Sequence, residues 1–323
     1  MDWADRIGRR IRLRDLHIVL AVAEWGSMSK AAEHLAISHP VVSKTISDLE
    51  HAVGVRLFDR NSQGVELTTY GRALLKCGVT VFDEMRQGLK QIEYLSDPNS
   101  GDLAIGCSDI TMASLLPAIA ERFSIQHPRI RLHVIHADTA MLQFHALRER
   151  NVELLIGRMP RVSVDDDLVV ETLFEEPFVA ACGIRSRWAR RRHIVLADLA
   201  DAPWILPPYD SMPGSLILEI FHAHEMQAPR PSIVTLSGHL TATLIGTGQF
   251  VGLLPRSVAQ FSASRAGLRR LTMDLPAPRV STAIITVKNR TLSPLADLFI
   301  NCARETKTAI AAPTKRRKSS RNM

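Results

Sequence analysis

A chain of 323 residues is too long for one small core and has room for two or three domains. Its 46% hydrophobic and 23% charged composition is that of ordinary globular protein, and no apolar run approaches the ~18 residues a membrane span needs, so no membrane association is expected. The net charge of +7 suggests an acidic partner, but residues 1–95 hold thirteen basic and twelve acidic side chains and residues 96–302 hold twenty of each, leaving seven against one in 303–323. Bulk basicity is therefore no argument for nucleic-acid binding. The start of the chain, Met1-Asp2-Trp3-Ala4-Asp5-Arg6, has two acids and no apolar stretch, unlike a secretory signal. Cys77, Cys107, Cys182 and Cys302 are far apart with no CxxC pair, which fits reduced thiols and a cytoplasmic location.

In chain order, a first helix is expected from Leu13 to Trp25, with Leu13, Leu16, Leu20 and Ala23 on one face and Gly26 ending it. Ser27 or Ser29 is placed to cap a short second helix, Lys30–Ala36, whose Ala31 and Ala32 admit a close neighbour. After the tight turn Ile37-Ser38-His39, a third helix starts at Pro40 and runs to about Val53. Val42, Ile46, Leu49 and Val53 form its apolar stripe. The opposite face carries Pro40, Lys44, Ser47 and His51, with Ser43 on its flank. Such a face suits a helix inserted in the major groove, and equally a solvated helix of any three-helix bundle. The segment Gly54–Thr68 then reads as strand, turn at Asn61-Ser62-Gln63-Gly64, and strand. A hairpin in that position is a wing able to lie on the DNA backbone.

Residues 13–72 resemble the winged helix-turn-helix of LysR-type transcriptional regulators. The runs that carry the resemblance are Ser29-Lys-Ala-Ala-Glu-His-Leu-Ala36, Ser38-His-Pro-Val-Val-Ser-Lys-Thr-Ile46, Leu49-Glu50, Gly54-Val-Arg-Leu-Phe-Asp-Arg60, and Leu67-Thr68 with Gly71. Arg12-Leu-Arg14 and Val42-Ser-Lys-Thr45 resemble the subgroup of galactose-binding-protein and protocatechuate regulators. Two departures stand out: His39 replaces a frequent Gln, and the wing tip lacks the usual extra Arg. The resemblance implies DNA contacts at Ser29, Lys30, Ser38, His39, Pro40, Ser43, Lys44 and Ser47, with Lys30 and Arg60 on phosphate.

A long helix follows over 69–95. Leu74, Gly78, Val81, Met85, Gly88, Ile92 and Leu95 repeat in the 4-3 pattern of a coiled-coil seam, and Leu75, Val79, Phe82 and Leu89 widen it. The two glycines weaken the helix by roughly 1 kcal/mol each but permit close approach. A core helix inside one subunit has the same pattern; the family uses this helix for dimerisation, which implies a homodimer or homotetramer on an interrupted inverted repeat of double-stranded DNA, with RNA polymerase as a further partner if the output is activation.

At Ser96-Asp97-Pro98-Asn99-Ser100-Gly101 the character changes to turn chemistry, and β-rich runs then alternate with helical ones. That alternation predicts an α/β domain with mostly parallel strands. By resemblance, the whole is α/β: an N-terminal winged helix-turn-helix (1–68), a linker helix (69–95), and a two-lobed domain like the type 2 periplasmic binding proteins (96–308). Lobe one is expected at about 101–160 and 276–308 and lobe two at about 165–273, with crossovers at Arg158–Asp167 and Asp274–Val280. Gly246-Thr-Gly-Gln249 fits a helix-to-strand turn, since no GK[ST] follows it. Residues 309–323, with Lys315-Arg-Arg-Lys318, read as a disordered basic tail.

Open α/β folds bind ligands beyond the C-terminal ends of their strands, at helix N-termini. Three such places can be read here. Ser108, Asp109 and Thr111 follow the first strand; Tyr209 and Ser211 follow Trp204-Ile-Leu206; Ser237 and His239 precede a helix. Helix capping explains any one of these serines; together they outline an effector cleft for a small molecule. Asp109 opposes an anion there, while His239 favours one, so neutral polar ligands and carboxylates both stay open. No catalytic set and no cofactor motif is visible. His222-Ala-His224 lacks further ligand spacing, Asp165-Asp166-Asp167 reads as a solvated turn, and Cys107 reads as a buried small residue rather than a redox sensor. The rival reading is a cytosolic solute-binding protein whose N-terminal helices serve only assembly, and an enzyme on the same fold is the third.

Overall fold

The computed structural model describes residues 11–61, 64–136, 140–158, 166–276 and 278–311. It opens with α1 (Leu13–Trp25), α2 (Met28–His34) and α3 (His39–Val53). Gly26 ends α1 at φ 60° and Gly54 ends α3 at φ 79°, a left-handed conformation that glycine adopts without the Cβ penalty. Ser27, not Ser29, caps α2 by accepting from the Lys30 N–H, so that helix starts at Met28 rather than Lys30. The buried face of α1 also differs from expectation. Leu16, Ile18, Val19, Ala21 and Val22 are buried, whereas Leu13 is 43% exposed. A helix packed against both α2 and α3 buries a wider arc than one i, i+4 stripe. Val42, Ile46 and Leu49 of α3 fill the same core.

A hairpin follows, β1 (Phe58–Asn61) against β2 (Gly64–Leu67), with Phe58 opposite Leu67. α4 then runs from Thr69 to Ser96. Its first half packs within its own unit: Leu74 joins the helical core, a Cβ on Gly78 would sit 3.3 Å from Leu20, and the Phe82 ring lies 5.7 Å from that of His17. The seam predicted along this helix therefore splits. Its early positions are used in cis, while Met85, Leu89, Ile92 and Leu95 remain 47–72% exposed. The chain parts into two compact units between Leu89 and Lys90.

The second unit is built on a mixed sheet. β3 (Ser100–Cys107) lies parallel to β4 (Arg129–His136) and β5 (Leu154–Arg158), and β7 (Trp204–Leu206) lies parallel to β8 (Ile233–Val234) and β9 (Val251–Pro255). The mostly parallel sheet expected is broken by two long strands, β6 (Leu168–Gly183) and β11 (Arg279–Val287). β11 runs antiparallel to β5 and β6, and β6 antiparallel to β9 and to β10 (Leu268–Arg270). These two strands join the lobes. Leu168–Phe174, inside the range expected for lobe two, instead pairs with β11 and places Leu168 and Leu173 in the first-lobe cores. Phe178 and Cys182 enter the second-lobe core beside Trp204. β6 runs unbroken through Pro177, which stands at the last pairing with β11, where a missing N–H costs least.

α5 (Asp109–Met112), α6 (Leu115–Gln126), α7 (Ala140–Arg148) and α11 (Pro294–Ala311) complete the first lobe; α8 (Met212–Ala223), α9 (Gly238–Gly246) and α10 (Arg256–Arg265) complete the second. Glu153, buried, ties α4 to α11: one oxygen meets Lys90 Nζ at 2.5 Å and the other accepts from the Ser293 N–H at 3.0 Å. Asp167 is not merely solvated, since Arg148 holds it at 2.8 and 2.9 Å. Most of the expected outbound crossover, with Asp165, and the basic tail from residue 312 lie outside the described residues.

Candidate DNA-reading face and effector cavity

Ser38, just before α3, and His39, Pro40, Lys44 and Ser47 on it are exposed and Ser43 is half-buried, opposite buried Val42, Ile46 and Leu49. Ser38, His39, Ser43, Lys44 and Ser47 make no side-chain bond among the described residues. Ser29 and Lys30 are exposed on the first turn of α2. Their donors and acceptors are free to meet base edges and phosphates. Arg60 is opposite Val65 in the hairpin, but its side chain, like the wing tip Ser62-Gln63, lies outside the described residues.

Sequence reasoning missed what holds the wing. Glu50, on the last turn of α3, accepts from the Leu57 N–H at 2.7 Å and the Phe58 N–H at 3.2 Å. A carboxylate taking two backbone donors ties α3 to the first strand of the hairpin. Thr68 closes the other end: its hydroxyl donates to Arg56 O at 2.8 Å and accepts from the Gly71 N–H at 3.0 Å, the cap of α4. The only sequence signal for Glu50 was its place in the Leu49-Glu50 run.

In the second unit, a cavity of about 310 Å³ opens between the lobes at the C-terminal ends of β3, β5, β7 and β9. Ser108, Asp109 and Ser211 line it as expected. The other four predicted residues do not. The Tyr209 hydroxyl instead donates to Pro229 O at 2.7 Å, and buried Thr111 shares a hydrogen bond of 2.9 Å with Ser108. Ser237 caps α9 by accepting from the Leu240 N–H at 3.3 Å. His239 is exposed, because a helix turns ~100° per residue and Gly238 is the position that faces the cavity.

The sequence also gave no warning of Arg158, Thr235 and Thr241, or of the apolar walls Ile110, Phe178 and Leu216. Arg158 closes β5 and is held by Glu176 at 2.8 Å; both are almost fully buried. Burial pushes the guanidinium down to about 10 against the opposing pull of Glu176, so it stays charged at neutral pH. Glu176 is in turn fixed by the Ser257 N–H and, at 2.7 Å, by the Ser257 hydroxyl. Behind Ser108, the Cys107 thiol is pushed up to about 12, first by burial and then by the charge of Asp109.

The comparisons agree with this architecture. Residues 13–72 match the family of bacterial regulatory helix-turn-helix proteins of the lysR type, and residues 96–308 match the LysR substrate binding domain. The chain belongs to the LysR family. Members of the LysR family are DNA-binding transcriptional regulators modulated by an effector, not enzymes, and so is this chain. The solute-binding alternative falls with that assignment. The HTH-type transcriptional regulator GbpR of Azospirillum brasilense is 26% identical over 88% of this chain and 83% of its own length. YdcI of Escherichia coli K12 is 27% identical over 94% and 99%. Among solved structures, a full-length OxyR variant from Pseudomonas aeruginosa shares the fold at TM-score 0.63, with 19% identity over 92% of this chain and 94% of that one.

Proposed function

We propose that this LysR-family regulator acts in the cytoplasm as a homodimer or homotetramer on an interrupted inverted repeat, reading bases with Ser38, His39, Pro40, Ser43, Lys44 and Ser47 and phosphates with Lys30 and Arg60. Ser29 stands beside these contacts. The observation that carries the reading is the exposed α3 face, where Ser38, His39, Ser43, Lys44 and Ser47 make no side-chain bond among the described residues while the opposite face is buried. A two-fold protein demands a two-fold site. The cavity between the lobes holds the effector, and binding shifts an existing equilibrium between lobe arrangements. Where the output is activation, RNA polymerase is the further partner. The test is operator binding by Ser43→Ala and Lys44→Ala. Each is expected to cost ~1–3 kcal/mol, with relaxed base preference for Ser43→Ala and a shallower salt dependence for Lys44→Ala. Unchanged affinity in both variants would show that α3 is not the reading helix.

A further inference from the structure

Six polar or charged side chains among the described residues line the cavity, and each is already engaged by the protein. Asp109 accepts from the Gly238 N–H, so the chain's own carboxylate sits on the N-terminus of α9, where an anionic ligand would otherwise dock. A Cβ at Gly238 would lie 2.9 Å from Ile110 and 3.3 Å from the Asp109 carboxylate, so the fit leaves no gap for a second anion. Arg158 is neutralised by Glu176. Ser211 caps its own helix, accepting from the Gly214 N–H at 3.2 Å and donating to Pro208 O, and Pro213 removes one further donor from that terminus. The Ser108 hydroxyl is paired with Thr111 at 2.9 Å. Thr235 accepts from the Ser237 N–H at 3.1 Å, and Thr241 donates to Ser237 O at 2.8 Å.

The consequence is chemical. A carboxylate or phosphate entering this space loses its water, meets the Asp109 charge, and finds Arg158 and both helix N-termini occupied. Desolvating an ion without a partner costs far more than its apolar contacts return. An uncharged molecule pays no such penalty and meets walls of Ile110, Phe178, Leu216 and Leu253, with lining hydroxyls that still have one lone pair or proton each. The volume, about 310 Å³, is at the small end of ligand sites (~300–1,000 Å³). We infer that the effector is a small, uncharged, mainly apolar molecule with a single hydroxyl- or carbonyl-type polar group, and that the Asp109–Gly238 and Arg158–Glu176 pairs together exclude anions.

This rests on the reading of the cavity as the effector site, and the experiment separates the two. Calorimetric titrations of the full-length chain use two matched pairs of probes, benzyl alcohol against benzoate and 1-hexanol against hexanoate, at neutral pH. Each alcohol is expected to bind roughly tenfold or more tightly than its carboxylate, about 1.4 kcal/mol or above. Asp109→Asn, nearly isosteric, should raise benzoate affinity roughly tenfold and so narrow the gap between benzyl alcohol and benzoate. Leu216→Trp, with Ile217→Phe as a second filling variant should the first not fold, should abolish binding of both alcohols. Benzoate binding as tightly as benzyl alcohol, and lost in the filled variants, overturns the neutral-ligand inference and keeps the cavity. Alcohols that fail to bind at millimolar concentration, or that bind the filled variants unchanged, overturn the cavity reading and this inference with it.

Discussion

The two sites of the molecule are opposites. Among the described residues, the α3 face is exposed, polar and unpartnered, whereas the cavity between the lobes is mainly apolar and every polar side chain lining it is bonded to the protein. The first needs an external polar surface to satisfy it, and DNA supplies donors, acceptors and phosphate. The second already satisfies itself and gains only from filling with apolar matter. Yet both are framed by a carboxylate that takes backbone N–H groups: Glu50 ties α3 to the wing, and Glu176 anchors Arg158 and the start of α10.

That parallel can be broken by removing each carboxylate. Glu176→Ala leaves a buried guanidinium without its partner, and is expected to cost about 3–5 kcal/mol. Glu50→Ala leaves two amides short of a charged acceptor in a half-buried place, about 1.5–3 kcal/mol, and should also loosen operator binding because the wing loses its tie to α3. Urea unfolding of the full chain, followed by tryptophan emission, measures both. If Glu50→Ala proved the more destabilising, or if Glu176→Ala cost under ~1 kcal/mol, the buried pair would not be the stronger anchor.

The two sites also differ in how far the sequence reveals them. α3 is one continuous element, so Val42, Ile46 and Leu49 sort its faces by period alone, and Ser38, Lys44 and Ser47 follow. The cavity is assembled from the ends of four strands and the starts of helices in both lobes. Strand-end logic reached Ser108, Asp109 and Ser211, because those positions are fixed by local order. It failed for His239, one helical step off the wall, and for Arg158, whose role depends on Glu176 eighteen residues on. The lobe junction was misplaced for the same reason: β6 crosses from one lobe to the other without a break that composition would mark.

α4 offers a third kind of surface, exposed yet apolar, and sharpens the contrast. Met85, Leu89, Ile92 and Leu95 recur three or four residues apart and stay exposed, the pattern of a coiled-coil seam, and the proposed dimer would cover them with a second copy of the same helix. Met85→Asp with Ile92→Asp is expected to give monomers in sedimentation and to weaken operator binding roughly a hundredfold, by loss of the linked second reading head. An unchanged oligomer would return these residues to an ordinary surface.

The smallest effect separates the units by their thiols. Cys77, in the first unit, is exposed, whereas Cys107, Cys182 and Cys302 are buried, with burial the leading cause of a raised thiol pKa in each. Below pH 9 the folded Cys107 stays a thiol, which is a poor nucleophile, so peroxide at neutral pH should leave operator affinity unchanged. A thiol whose folded pKa lies above its unfolded value holds its proton longer when folded. Its contribution is complete below 9.0 and is lost as pH climbs from there toward about 12. Urea midpoints of the Cys107→Ser variant against the parent should therefore differ by a constant amount from pH 6 to 8 and converge above pH 9. A thiol-specific reagent should label Cys77 alone in the native protein. Rapid native labelling of Cys107, or a peroxide-dependent change in DNA binding that Cys107→Ser removes, would mean that the second unit senses oxidation after all, and that its site is not simply the apolar counterpart of the α3 face.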